Sequence, residues 1–210
     1  MDALIALPIA YATGCISFAL IVARIKHVDL RASGSGNPGA TNVGRLLGSG
    51  WGQLVLALDV AKGVVPVLVL SLQPPLVGAS GRPLIAAAAV LGHVIPVTQG
   101  FRGGKGVATL IGVCLVLDPL VALIAVGVHY AVRAASGYVS LASVALAWAF
   151  PLGQLVARLV GWPQDRPLAG IAVMAGVAML ITLRHAANFG RIRAGTESRH
   201  HDPSQEQETR

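Results

Sequence analysis

The chain has 210 residues, of which 54% are apolar and only 12% charged, about half the charged share of a soluble domain. Mean hydropathy is +0.69, which excludes a disordered chain and argues against a soluble domain: so few charges cannot cover so much apolar surface in water. Sixteen Lys and Arg against nine Asp and Glu give +7, and their dispersal among membrane-length apolar runs points to topology and anion attraction rather than to nucleic acid.

The predicted fold class is all-α, a polytopic membrane protein. Seven spans are expected, at roughly 3–23, 51–72, 83–100, 105–118, 119–133, 138–158 and 167–183. The first reads as an uncleaved span rather than a signal peptide, because Arg24, Lys26 and Arg31 follow it and no basic region precedes it. Asp118-Pro119 separates the fourth from the fifth. Fusing those two over 107–132 would give six spans. Charge decides between the counts. With seven spans, the N-terminus out and the C-terminus in, twelve basic residues lie inside. Only Arg82, Arg158 and Arg166 lie outside, and Lys62 is within a span, which accounts for all 16. Pro66, Pro96 and Pro151 are expected to kink their helices. Cys15 and Cys114 sit in apolar runs as packing residues. The chain reads as one membrane-embedded domain over 1–197, then a polar, disordered cytoplasmic tail over 198–210.

Under this topology three polar stretches share the inner face. In the first, residues 33–45, glycines allow close backbone approach and bare N–H groups can nest an anion. Ser35, Asn37, Thr41 and Asn42 add side-chain donors, and Arg45 can fork onto phosphate. Gly34-x-Gly36-x-x-Gly39 satisfies the dinucleotide pattern literally, but no strand precedes it and spans flank it. In the second, Arg102 and Lys105 stand among Gly103, Gly104 and Gly106. It is not a P-loop, since Gln99 holds the first glycine position and Gly106 replaces the Ser or Thr. In the third, Arg184, Asn188 and Arg191 recur at helical spacing around His185. Within spans, Ser140 and Ser143 face one way, and Asp59 and Lys62 can pair. His93 and His129 read as packing histidines.

Together these segments resemble the bacterial acyl-phosphate:glycerol-3-phosphate acyltransferase family (PlsY). Its motifs look like GSGNPGATNVGR at 34–45, FRGGKGVAT at 101–109 and RHAANFGRIRAGTE at 184–197. DVAKGVVPV at 59–67, GHVIPV at 92–97 and YVSLAS at 138–143 match as well. Ala186-Ala187 and Gly44 depart from the usual residues. The resemblance implies transfer of a fatty acyl group from acyl-phosphate to the 1-hydroxyl of sn-glycerol 3-phosphate, giving lysophosphatidic acid and phosphate. It implies a multi-pass protein of the bacterial inner membrane with its site facing the cytoplasm. Expected catalytic residues are Ser35, Lys105, Ser143, His185 and Asn188. Expected substrate-binding residues are Gly34, Gly36, Asn37, Gly39, Thr41, Asn42, Arg45, Arg102, Gly103, Gly104, Gly106, Ser140, Arg184 and Arg191. No cofactor, metal, nucleic acid or obligate protein partner is expected; the partners are the two substrates and membrane lipid.

Two absences fit. None of the six histidines has Asp five residues later, the signature of the other large glycerolipid acyltransferase family. No His/Cys/carboxylate cluster suits a metal. The rival reading is a transporter for phosphate or an organic phosphate. It leaves unexplained why the polar residues gather at one side without an inverted repeat.

Overall fold

A computed structural model describes residues 3–71 and 81–199. Its regular elements are ten α-helices, α1 (Ala3–Gly14), α2 (Phe18–Ile25), α3 (Ala40–Leu47), α4 (Ser49–Ser71), α5 (Arg82–Val94), α6 (Val107–Leu117), α7 (Pro119–Ser136), α8 (Val139–Leu159), α9 (Leu168–Arg184) and α10 (Ala186–Arg193), with one 3-10 turn, Val97–Gln99. Most of the predicted tail, 200–210, lies outside the described residues.

The bundle shows apolar side chains on both sides of its surface. Phe150, Leu146, Leu110, Met174 and Ile181 fill the centre. Leu54, Leu68, Leu123, Ile124, Leu152 and Val156 stand exposed on the outside. Meanwhile Asp59 and Lys62 are buried at 2% and 4% exposure, and their side chains pair at 2.8 Å. An apolar girdle around a bundle with charges turned inward is the arrangement a bilayer selects. Close helix packing comes from small residues. A Cβ on Gly63 of α4 would strike Thr109 O of α6, and one on Gly112 of α6 would strike Val60 O of α4.

Four helical stretches are long and apolar enough to cross a membrane: Ile5–Ile25, Ser49–Leu70, Pro119–Ser136 and Val139–Leu159. The pair α9 and α10, bent by 47°, makes a fifth if taken as one span. The two remaining expected spans are shorter than predicted. Proline disfavours the α region for the residue before it, and here Ile95 leaves that region at φ −129° and ψ 58°, so α5 ends at Val94 ahead of Pro96 instead of kinking there. The glycine at 106 takes φ +86°, so α6 begins only at Val107. At 13 and 11 residues, α5 and α6 span roughly 20 and 17 Å. Pro66 and Pro151 do lie inside α4 and α8. The predicted break at Asp118 is built as a cap: its carboxylate accepts from Val121 N at 3.4 Å, with Pro119 opening α7.

Candidate active site

The Gly-rich segment between α2 and α3 is shaped by one buried side chain. Asn42, 1% exposed, accepts from Ser35 N at 2.9 Å and donates to Leu30 O at 3.2 Å and Ser33 O at 3.1 Å. Both its amide hydrogens are used inside the loop, so Asn42 acts on a ligand through the loop it shapes rather than as the direct donor expected from the sequence. Gly34, at φ +60°, leaves no room for a side chain because a Cβ would strike that amide oxygen. Gly36 is likewise a turn residue at φ +68°. Both set the path of the backbone that carries Ser35 and Asn37 to the wall of a cavity.

The second stretch docks on the end of α5. Gly104 N donates to His93 O at 3.1 Å, and a Cβ on Gly104 would overlap the His93 ring. Gly103 is packed against His93 O and Pro96, and its own carbonyl accepts from Arg184 at 2.9 Å. Gly103, Gly104 and Arg184 thus hold the loop rather than face the cavity. Arg102 is exposed and meets Arg31 only through its carbonyl, at 3.2 Å.

Above these loops lies a cavity of about 370 Å³. Of the expected residues, Ser35, Asn37, Gly39, Thr41, Asn42, Arg45, Lys105, Gly106, Ser140, Ser143, His185 and Asn188 line it. Three helices begin at its wall, α3 after Gly39, α6 after Gly106 and α8 after Tyr138, and none has a side-chain cap. Their unsatisfied N–H groups and dipoles favour an anion there.

Lys105 donates to Asn188 Oδ1. Asn188 Nδ2 donates to Glu197 Oε1 at 2.6 Å, and Arg191 Nε donates to Glu197 Oε2 at 2.7 Å. Arg191 therefore reaches the site through Glu197. Burial brings the Lys105 ammonium down to about 8, and the charges of Arg191, Arg45 and Arg184 push the same way against Glu197. Burial works against the Glu197 carboxylate, yet hydrogen bonds from Asn188 and Arg191 hold it below its usual value. Ser140 Oγ is near enough to help, without completing a hydrogen bond. Ser143 Oγ donates to Val139 O at 2.7 Å, leaving it an acceptor toward the cavity.

His185 is 2% exposed at the junction of α9 and α10. Its Nδ1 lies 2.8 Å from Ile181 O. A carbonyl only accepts, so Nδ1 carries the proton and Nε2 is left as an acceptor. Burial and the nearby Lys105 charge lower its pKa to about 4, so it is neutral at pH 7.

Sequence reasoning gave no role to Glu197, although it is the only carboxylate in the three polar stretches. It also missed the contribution of α7, whose His129, Tyr130 and Arg133 face the cavity; single polar residues in an apolar helix carry no pattern to find. Asp59 and His93 line the same cavity, and Leu56, Ile111, Val126 and Leu146 give it an apolar wall. Among the described residues no group of three or more His, Cys, Asp or Glu could hold a metal.

A cationic pocket rich in free helix N–H groups, opening onto apolar wall in a membrane bundle, defines a protein that handles phosphate joined to lipid. The chain belongs to the glycerol-3-phosphate acyltransferase family, whose model matches residues 4–195. A glycerol-3-phosphate acyltransferase of Geobacter sulfurreducens is 42% identical over 202 residues, covering 95% of this chain and 98% of that one. One of Shouchella clausii is 45% identical over 195 residues, covering 90% and 91%. The crystal structure of PlsY (YgiH), an integral membrane glycerol 3-phosphate acyltransferase, in its glycerol 3-phosphate form superposes with a TM-score of 0.85 at 39% identity over 94% of each chain. Its lysophosphatidic acid form gives 0.83 at 38%.

Proposed function

We propose that this protein transfers a fatty acyl group from acyl-phosphate to the 1-hydroxyl of sn-glycerol 3-phosphate. The observation that carries the reading is the single cavity in which Lys105, Arg45 and three uncapped helix starts face an apolar wall. Both substrates carry phosphate, and one carries an acyl chain. Acyl-phosphate is an activated mixed anhydride, so no covalent enzyme intermediate is required. The glycerol hydroxyl oxygen attacks the acyl carbon, the bond to phosphate breaks, and phosphate leaves with the electron pair.

The chain's part is positioning and charge stabilisation. Lys105 and Arg45 hold phosphate oxygens, with Asn37, Thr41 and the backbone around Ser35 and Gly39. Asn188 orients Lys105, and Arg191 and Glu197 orient Asn188. Ser143 and Ser140 offer acceptors to the glycerol hydroxyls. His185 Nε2, an acceptor, orients glycerol 3-phosphate through its second hydroxyl, while a substrate phosphate oxygen takes the proton of the attacking hydroxyl. Purified protein in detergent, given both substrates, is expected to release lysophosphatidic acid and phosphate. Vesicles that show flux of a phosphate compound without acyl transfer would instead establish a transporter.

The same reading places seven crossings, α1–α2, α4, α5, α6, α7, α8 and α9, in the bacterial inner membrane. The N-terminus is outside, and the cavity and the polar tail from 198 are in the cytoplasm. The twelve-to-three charge split supports it. α5 and α6 fit by local thinning of the bilayer around short helices. Single cysteines at Ser35, Lys105 and Thr196 are expected to label only from the cytoplasm; periplasmic labelling at Thr196 would restore six spans.

A further inference from the structure

A second cavity, of about 190 Å³, lies at the other end of the bundle. α6 and α8 reach the active-site cavity through Val107 and Ser140, and His185 just past α9 does the same; the three helices reach the second cavity through Leu117, Gln154 and Ile171. Acyl transfer makes no use of it. Its wall is firmly built. Arg166, 3% exposed, donates to Asp118 Oδ2 at 2.7 Å, to Gln164 Oε1 at 3.1 Å and to the carbonyls of Trp162 and Gln164. Gln164 Nε2 in turn donates to Leu117 O at 3.0 Å.

Three polar groups at this cavity have no such employment. Gln154 sits inside the membrane helix α8 at 8% exposure, and its buried Oε1 has no hydrogen-bond partner among the described residues. An acceptor buried without a donor is destabilising by about 1–3 kcal/mol, so a donor that reached Gln154 Oε1 would remove that cost. At the rim, Arg82 and Asp165 are exposed and of opposite charge. Neither makes an ion pair or side-chain hydrogen bond among the described residues.

We propose that this cavity binds the headgroup of a zwitterionic phospholipid that bears a primary ammonium. The ammonium donates to Gln154 Oε1 and faces Asp165, and the phosphate faces Arg82. Each part answers one feature of the site. The buried oxygen requires an N–H or O–H donor, the carboxylate requires a cation, and the guanidinium requires an anion. The apolar walls at Pro83, Pro167 and Ile171 receive the start of the glyceride. A quaternary ammonium has the charge but no N–H, so it leaves Gln154 unpaired. An anionic headgroup without nitrogen leaves Asp165 without a counter-charge.

The test uses the purified full-length protein in detergent, with short-chain phosphatidylethanolamine, phosphatidylcholine and phosphatidylglycerol as probes and native mass spectrometry as the readout. Phosphatidylethanolamine is expected to bind about tenfold tighter than either of the others, the scale of one hydrogen bond to a charged group. Gln154→Met, similar in length and helix preference, is expected to abolish that preference and leave the acyl transfer rate unchanged. Asp165→Asn, on an exposed loop that tolerates substitution, is expected to weaken phosphatidylethanolamine binding whether or not Gln154→Met folds. Equal binding of the three lipids, or a preference that survives both substitutions, would overturn the proposal.

Discussion

Lys105 and Asn188, 83 residues apart in the chain, are joined by a hydrogen bond from the lysine ammonium to the amide oxygen. The contact fastens the loop before α6 to the short helix α10. Because Asn188 is bound in turn to Glu197, the charge at Lys105 is placed by residues that never touch it.

Removing that charge tests its role. Lys105→Ala is expected to lower kcat/KM by about two or more powers of ten, roughly 3 kcal/mol of lost transition-state stabilisation. Asn188→Ala should lose part of the same amount, and the double variant little more than Lys105→Ala, since the two act as one unit. Additive losses in steady-state kinetics would separate them.

Alkaline pH should reproduce the loss. Lys105 is charged below about pH 8 and neutral above it. kcat/KM is therefore expected to halve near pH 8 and then to fall about tenfold per pH unit. In Lys105→Arg the guanidinium stays charged, so whatever activity remains should keep its level past that point. A shared alkaline limb in the two pH profiles would assign the limb to another group.

His185 lines the same cavity as Lys105. With a pKa of about 4 it is neutral across the physiological range but a weak base. His185→Asn keeps a donor toward Ile181 O and removes the imidazole. It is expected to retain at least about a tenth of wild-type kcat. A loss of about 10²–10⁴-fold, the range for removing a general base, would instead make His185 the base.

Glu197→Gln keeps the shape of the clasp and replaces an acceptor facing Arg191 or Asn188 with a donor. Thermal stability is expected to drop by about 1–3 kcal/mol. Without the carboxylate's favourable charge the Lys105 pKa falls further, so the alkaline limb should move to lower pH. An unchanged limb would uncouple the two residues.

At the far end, Asp118 and Arg166 form an ion pair whose side chains are each 1% exposed. Asp118→Asn leaves a buried guanidinium without its counter-charge and should destabilise the fold by about 3–5 kcal/mol, read as a lower Tm. Acyl transfer per folded molecule is expected to stay normal, because the pair lies at the opposite end of α6 and α8 from Lys105.

Hydropathy and composition are local quantities, and whatever depends on them was legible in the chain. The all-helical membrane class followed from apolar runs. The break at Asp118-Pro119 followed from the split of basic residues between the two sides, and the three site-forming stretches followed from glycine and cationic residues in apolar surroundings. Serine spacing alone placed Ser140 and Ser143 on one face, and both line the cavity. The roles inside the site were decided by partners 81 to 83 residues away, as in the bonds of Arg184 to Gly103 and Lys105 to Asn188, which no spacing rule contains. Asn42 reads as a donor until Leu30 O and Ser33 O take both its hydrogens. Glu197 closes the third stretch without a role of its own until the turn after α10 brings it to Asn188 and Arg191. Helix ends followed the same division: an apolar run continued through 83–100, but the backbone at Pro96 could not, and the bundle closed around a shorter helix. Sequence determined which groups were available, because side-chain chemistry is fixed locally. Tertiary structure decided which of them remained free for a ligand, because a hydrogen bond made within the fold is one that a substrate cannot use.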